Sequence, residues 1–198
     1  MKNLQFPVKL LFKISTLAND FTAQDAHGKT VAYVRQKMFK LKEEIEVFSD
    51  ESRTKTDYRI KADRWLDFSA AYSFTDIKGD NLGKIVRKGW ASIWKARYDL
   101  IDQHNQLQYH IQEENAWVKV VDSLFGQIPV LGFFTGYFFN PSYIVTDLNY
   151  KVVARLQKQP SFWGRKFDIT KLENFDSDDD ERIILGLMML VLLERRKG

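Results

Sequence analysis

Residues 183–193 read IILGLMMLVLL, and the placement of this run decides the fold. No charged or polar side chain interrupts it. Asp176, Asp178, Asp179, Asp180 and Glu181 precede it, and Glu194, Arg195, Arg196 and Lys197 follow it. The composition is that of a helix, with acids at its start and bases at its end, both of which complement the helix dipole. Ser177 and Asp180 have the spacing of a capping box. The run is about 11 residues long, whereas crossing a bilayer takes roughly 20. A helix on a protein surface carries one apolar stripe, but this one is apolar on every side. Its expected place is therefore inside a shell made by the rest of the chain.

The rest of the chain reads as strands. Phe6, Val8, Leu10, Phe12 and Ile14 recur at every second position, the period of a half-buried strand. The same period joins Phe68, Ala70, Tyr72 and Phe74, then Tyr58, Ile60 and Ala62, and then Leu107, Tyr109 and Ile111. Ala96, Tyr98 and Leu100 share a further face, with Arg97 and Asp99 pointing the other way. Turn signals at Asp25–Gly28, Ser49–Ser52, Asp76–Gly79, Asp102–Asn105 and Asp147–Asn149 separate the runs. Many short strands joined by tight turns predict a mainly β fold, an antiparallel sandwich or barrel of about ten to twelve strands. An internal echo supports hairpins as the unit. Phe21–Asp25, Tyr72–Asp76 and Tyr143–Asp147 each lead through an Asp-led turn to a second strand and a basic exit at Arg35–Lys37, Arg87–Lys88 and Arg155–Lys158. An aromatic residue (Phe39, Trp90 or Phe162) follows each exit.

One further helix is predicted where Trp117, Val120, Val121, Leu124 and Phe125 form an apolar stripe, with Gly126 to end it. Residues 128–139, IPVLGFFTGYFF, carry no charge. The preferred reading is a strand and loop packed into the core. The other is an exposed aromatic loop that dips into a membrane interface.

The 198 residues suit one domain spanning 1–198, with 44 % apolar and 28 % charged residues as in ordinary globular chains. The chain has no cysteine, which excludes disulfides, thiolate metal sites and a cysteine nucleophile. Lys9 and Lys13 interrupt the N-terminal apolar pattern, so it does not read as a signal peptide, and a cytoplasmic protein is expected. His27, His104 and His110 lack metal-ligand spacing. Residues 79–84, GDNLGK, are one residue short of a phosphate loop and place Ile85 where Ser or Thr would hold magnesium, so a hairpin turn is expected instead. Asp176, Asp178 and Asp180 have the 1, 3, 5 spacing of a calcium loop. Glu181 stands at the turn glycine and Leu187 at the bidentate glutamate, so these three remain weak calcium candidates beside a plain capping role. No catalytic site, cofactor or metal is expected, and the protein is read as a non-enzyme.

The hairpins and the terminal run together resemble the Tubby-like C-terminal superfamily, and its LURP-one-related branch most closely. Residues 21–40 (FTAQDAHGKTVAYVRQKMFK), 143–158 (YIVTDLNYKVVARLQK), Phe167–Ile169 and 181–196 (ERIILGLMMLVLLERR) carry the resemblance, which covers most of the chain. It implies a closed antiparallel barrel of about 12 strands around a central hydrophobic C-terminal helix at 177–196. Residues 115–140, with their own short helix and aromatic run, read as an elaboration of that plan.

Charge points to a candidate surface. The net charge is only +4, but Lys84, Arg87, Lys88, Lys95 and Arg97 are interleaved with Trp90 and Trp94, while Arg155, Lys158, Arg165 and Lys166 surround Phe162 and Trp163. Cations attract phosphate and Trp favours a membrane interface. Tubby domains bind phosphoinositide headgroups through basic barrel residues, so the resemblance implies, at the level of the family, an anionic phospholipid partner; the charge pattern offers Lys84, Arg87, Lys88, Lys95, Arg97, Arg155 and Lys158 for it, with the protein peripheral at a membrane. Single-stranded nucleic acid, whose bases stack on aromatics, would suit the same mixture and is the alternative. A scramblase-like lipid mover is a third reading, and the shortness of the terminal run argues against it.

Overall fold

The structure, a computed structural model, describes residues 1, 4–13, 20–36, 44–63, 71–88, 97–114, 142–161 and 165–195. The predicted helix at 117–125, the apolar segment 128–139 and Lys95, Trp90 and Trp94 lie outside the described residues.

Twelve strands form one closed antiparallel barrel: β1 (Val8–Phe12), β2 (Phe21–Gln24), β3 (Thr30–Gln36), β4 (Glu44–Phe48), β5 (Thr56–Ala62), β6 (Ala71–Asp76), β7 (Asn81–Arg87), β8 (Arg97–Ile101), β9 (Leu107–Glu113), β10 (Ser142–Thr146), β11 (Val152–Gln159) and β12 (Lys166–Lys171). Each strand pairs with its neighbours in sequence, and β1 closes the ring on β12 with Val8 opposite Ile169 and Leu10 opposite Phe167. Closure leaves no free sheet edge. Helix α1 (Ser177–Arg195) fills the bore. Ile183, Ile184, Leu185, Leu187, Met188, Met189, Leu190, Val191 and Leu192 are each at most 3 % exposed. They meet the inward pleat of the wall, which includes Leu10, Phe21, Ile45, Ile60, Phe74, Leu100, Ile111, Leu156 and Ile169. An apolar circumference thus has an apolar partner on every side, the condition that the sequence required. Among the described residues no helix is long and apolar enough to cross a membrane.

The barrel has two distinguishable ends. The turns β2–β3, β4–β5, β6–β7, β8–β9 and β10–β11 all lie at one, the hairpin end; the odd-numbered strands finish at the other, the far end. Four of the hairpin turns share one construction. In each, the leading Asp (Asp25, Asp76, Asp102 or Asp147) uses Oδ1 to accept the backbone N–H groups two and four residues on, at 2.8–2.9 Å. Its own N–H donates to the carbonyl four residues on, and its carbonyl accepts from the residue three on. That third residue turns with positive φ: Gly28, Gly79, Asn105 and Tyr150. The echo seen in the sequence is therefore this Asx-locked turn, and β8–β9 adds a fourth copy that the basic-exit pattern did not single out. GDNLGK falls in the β6–β7 turn and the start of β7, as expected of a hairpin.

Candidate functional site

The predicted basic set lies on the strands named for it, but the pleat divides it. Gly83 and Ile85 are buried in the bore, so Arg87 shares their interior-facing register at the end of β7. On β11, Ala154 and Leu156 put Lys158 on the interior-facing register in the same way. Lys84, Lys88, Arg97 and Arg155 fall on the outer wall. Lys88 and Arg97 stand opposite each other across β7–β8, with the Lys88 N–H donating to the Arg97 carbonyl at 3.0 Å, and both side chains are exposed. The β8–β9 register puts Arg97 opposite Gln112, the β9–β10 register puts Gln112 opposite Ile144, and the β10–β11 register puts Ile144 opposite Arg155. Arg155 is thus three strands from Arg97, about 14 Å along the wall.

Partners surround these cations. Asp99, buried although it points outward, sits between two bases: Lys88 Nζ at 2.6 Å and His110 Nδ1 at 2.9 Å. The ring of Tyr150, 79 % exposed, stacks near His110 with centroids 6.4 Å apart. Lys84 donates to the Asn105 side chain at 2.9 Å, and Arg155 to Glu114 at 3.1 Å. The wall is therefore a mixed-charge surface, and of the predicted cations that are described Lys88 and Arg97 are the exposed ones.

The acidic run before α1 has other employment. Asp176, not Ser177, is the N-cap: its Oδ1 accepts from the N–H groups of Asp178 (3.1 Å) and Asp179 (2.9 Å). The expected Ser177–Asp180 box is displaced by one residue because a carboxylate one position earlier reaches both donors. Asp180 forms an ion pair with Lys171 through both oxygens, at 2.8 and 2.9 Å. Asp178 is exposed. Of the three weak calcium candidates, two are thus tied up in the helix start. Among the described residues no three acidic or histidine side chains group so as to hold a metal ion.

Sequence reasoning missed one buried cation. Arg182 is 5 % exposed and anchors α1 to the hairpin end. Its Nε donates to the Leu82 carbonyl at 2.9 Å, one terminal nitrogen to Asp179 at 2.6 Å and the other to Gln103 at 2.8 Å. Gly83 makes room: a Cβ there would lie 2.3 Å from the Ile101 carbonyl oxygen and 3.1 Å from Arg182 Nε. Asp102 lies nearby. Burial alone would raise its pKa, but the Gln106 and His104 N–H groups, the Gln108 amide and the charge of Arg182 together hold it below the usual carboxylate value. The available signal was an arginine between five acids and an apolar run.

Three tyrosines bind the wall to carboxylates. Tyr109 donates to Asp179 at 2.7 Å, Tyr58 donates to Glu181, and Tyr33 donates to Asp20 at 2.7 Å. Burial first, and the carboxylate second, push all three phenols upward, Tyr33 to about 12.

The architecture matches known proteins. An X-ray structure of a protein from Arabidopsis thaliana shares the fold with a TM-score of 0.52 at 14 % identity, over 98 % of this chain and 94 % of that one. Among curated proteins, none matches the chain. The family model described as LURP-one-related matches residues 30–190, from the start of β3 to deep within α1. With most of the barrel and its central helix inside that match, the chain belongs to the LURP-one-related family.

Proposed function

We propose that this protein is a non-enzymatic binding module that meets anionic phospholipid headgroups through exposed cations of the barrel. The observation that carries the reading is the Lys88–Arg97 pair. Like charges directly opposite each other on a sheet are destabilising, and an anion between them removes that penalty. Among the described residues the carboxylate at hand, Asp99, is already shared between Lys88 and His110. The filled bore supports the same reading, because α1 occupies the space that a barrel otherwise offers to a ligand and leaves recognition to the outside. The resemblance to the Tubby-like superfamily implies headgroup binding by basic barrel residues and agrees with it. A cytoplasmic location, peripheral at a membrane, goes with the proposal.

The test is co-sedimentation with phosphatidylcholine vesicles, with and without phosphatidylserine, at low and at physiological salt, alongside a single-stranded DNA binding assay. Binding to the anionic vesicles alone, weakened by Lys88→Glu and by Arg97→Glu, is the expected result. Salt-dependent DNA binding without lipid binding would replace the proposal with nucleic-acid recognition.

A further inference from the structure

We infer that Tyr150, with Leu148 beside it on the β10–β11 turn, is an apolar anchor that seats the barrel on an anionic bilayer alongside Lys88 and Arg97. This inference rests on the lipid reading and adds an uncharged contact to it.

The first observation is backbone strain. The third residue after the leading Asp of each Asx-locked turn has positive φ. Gly28 (φ +78), Gly79 (φ +92) and Asn105 (φ +62) stand there in three turns, and Gly and Asn enter the left-handed region readily. In the β10–β11 turn the position holds Tyr150, at φ +63. A bulky side chain in this conformation is an outlier, of the kind that clusters at functional sites. Burial does not explain it, because Tyr150 is 79 % exposed. Its ring meets that of His110 at 6.4 Å between centroids, near the outer limit for paired rings.

The second observation is the company Tyr150 keeps. Leu148, two residues earlier, is 53 % exposed, and Ile77 of the β6–β7 turn is 51 % exposed. Both directly follow the leading Asp of their turns, where the other two Asx-locked turns have Ala26 and Gln103. The β6–β7 and β10–β11 turns bound the outer wall of β7, β8, β9 and β10 on its two sides. Around the anchor the nearest carboxylates are engaged. Asp147 Oδ1 accepts the N–H groups of Asn149 and Lys151, and Glu173 pairs with Lys151 at 2.9 Å.

The third observation is continuity with the proposed headgroup site. The Tyr150 ring lies against His110, His110 Nδ1 is 2.9 Å from Asp99, and Asp99 is 2.6 Å from Lys88 Nζ. One line of contacts on the outer wall thus joins the exposed ring to the lysine that would meet a phosphate. Tyrosine suits the headgroup level of a bilayer because its ring is apolar and its hydroxyl polar. A turn tip with two protruding apolar side chains fits a fluid surface. A stable protein partner would instead take about 20–30 residues a side around a buried core.

The test is Tyr150→Asn in the full chain, which copies Asn105 in the equivalent turn. The probe is a phosphatidylcholine–phosphatidylserine vesicle, and a thermal melt accompanies each binding curve. An anchor predicts affinity lower on the order of fivefold or more, with the melting midpoint unchanged or a few degrees higher. Tyr150→Trp should bind as wild type does. A midpoint lower by more than about 4 °C would give Tyr150 a structural role and overturn the inference. So would Tyr150→Trp binding as weakly as Tyr150→Asn. Unchanged binding by Tyr150→Asn while Arg97→Glu is impaired would overturn the anchor, leave the lipid reading intact and assign the turn to a protein partner. A wild-type chain that ignores anionic vesicles would overturn both. Because the chain has no cysteine, Leu148→Cys and Thr54→Cys can each carry one environment-sensitive fluorophore. Thr54 is exposed on the β4–β5 turn, five strands from the β10–β11 turn in either direction round the ring. Vesicles should shift the emission of the label at 148 to the blue and leave the label at 54 unchanged. Equal shifts, or none at 148, would contradict the anchor.

Discussion

At the hairpin end, four Asx-locked turns surround the start of α1, and Arg182 ties that helix to Leu82 and Gln103; at the far end, exposed Lys61, Lys88, Arg97, Arg165 and Lys166 lie on or beside β5, β7, β8 and β12. The first end is dense in buried, directional hydrogen bonds, and its exposed bases (Lys29, Arg53, Lys55, Lys78 and Lys151) are matched by exposed acids (Asp50, Glu51, Asp80, Asp176 and Asp178). Among the described residues of the second, exposed bases outnumber exposed acids. The contrast separates two tasks that a sequence mixes together. One end fixes how the helix sits in the bore, and the other holds Lys88 and Arg97, the pair proposed to meet an anionic partner. Substitutions at the two ends should therefore differ in kind: loss of stability around Arg182, loss of binding at Arg97.

The largest expected effect breaks the frame that both ends share. Eight large residues of α1 (Ile183, Ile184, Leu185, Leu187, Met188, Met189, Leu190 and Leu192) are buried, at about 2 kcal/mol each and on the order of 15 kcal/mol gross. A typical domain is stable by about 5–15 kcal/mol in all. Deleting residues 182–198 should give an insoluble or molten chain with no cooperative melt, observable by circular dichroism and calorimetry.

Next come two glycines of the β6–β7 hairpin. Gly83, at φ +116, faces a backbone carbonyl that cannot yield, so Gly83→Ala should cost about 3 kcal/mol or more. Gly79, at φ +92, has nothing within 4 Å, so Gly79→Ala should cost only about 1–2 kcal/mol of backbone strain. Urea unfolding of both variants measures the difference. Similar costs would mean that the close approach of the Ile101 carbonyl to Gly83 does not matter.

A smaller effect appears in alkali. The folded-state pKa values of Tyr33, Tyr58 and Tyr109 lie above the unfolded value of about 10. Between about pH 10 and 12 the native state keeps phenolic protons that the unfolded chain has released. This contribution to stability is therefore complete below pH 10 and is lost as pH rises through the folded pKa values. The midpoint of thermal unfolding should fall across that window. Tyr109→Phe should make the fall shallower while lowering stability at neutral pH, because Asp179 loses a donor.

The smallest effect on stability belongs to the far end. Arg97→Glu, at an exposed site, should change unfolding free energy by less than about 1 kcal/mol while reducing anionic-vesicle binding. A large stability loss here would erase the contrast between the ends.

Much of this plan was legible in the chain. The terminal run announced a buried helix by its circumference, and the alternation of Tyr58 with Ile60 and of Tyr109 with Ile111 announced strands, because both signals are local and periodic. Asp25, Asp76 and Asp147 marked turns because the Asx lock is built within five residues. The ring closure of β1 on β12 joins Val8 to Ile169, and no local pattern carries such a contact. Arg182 read as one more charge near a helix start, since its burial depends on Gly83 and Gln103, far away in sequence. The basic segments read as one surface because charge is visible in a sequence and register is not. The pleat turns Arg87 toward the bore and leaves Lys88 outside, and the cap moved from Ser177 to Asp176 through a shift of one residue that spacing alone does not resolve.

The central claim is that α1 is the core of the barrel and that membranes meet only its exterior. Amide hydrogen exchange of α1, followed with and without phosphatidylserine-containing vesicles, tests it most directly. The account predicts that amides 184–192 exchange only through global unfolding, at the same slow rate in both conditions. Rapid exchange in solution, or protection of α1 that changes when vesicles are added, would contradict it.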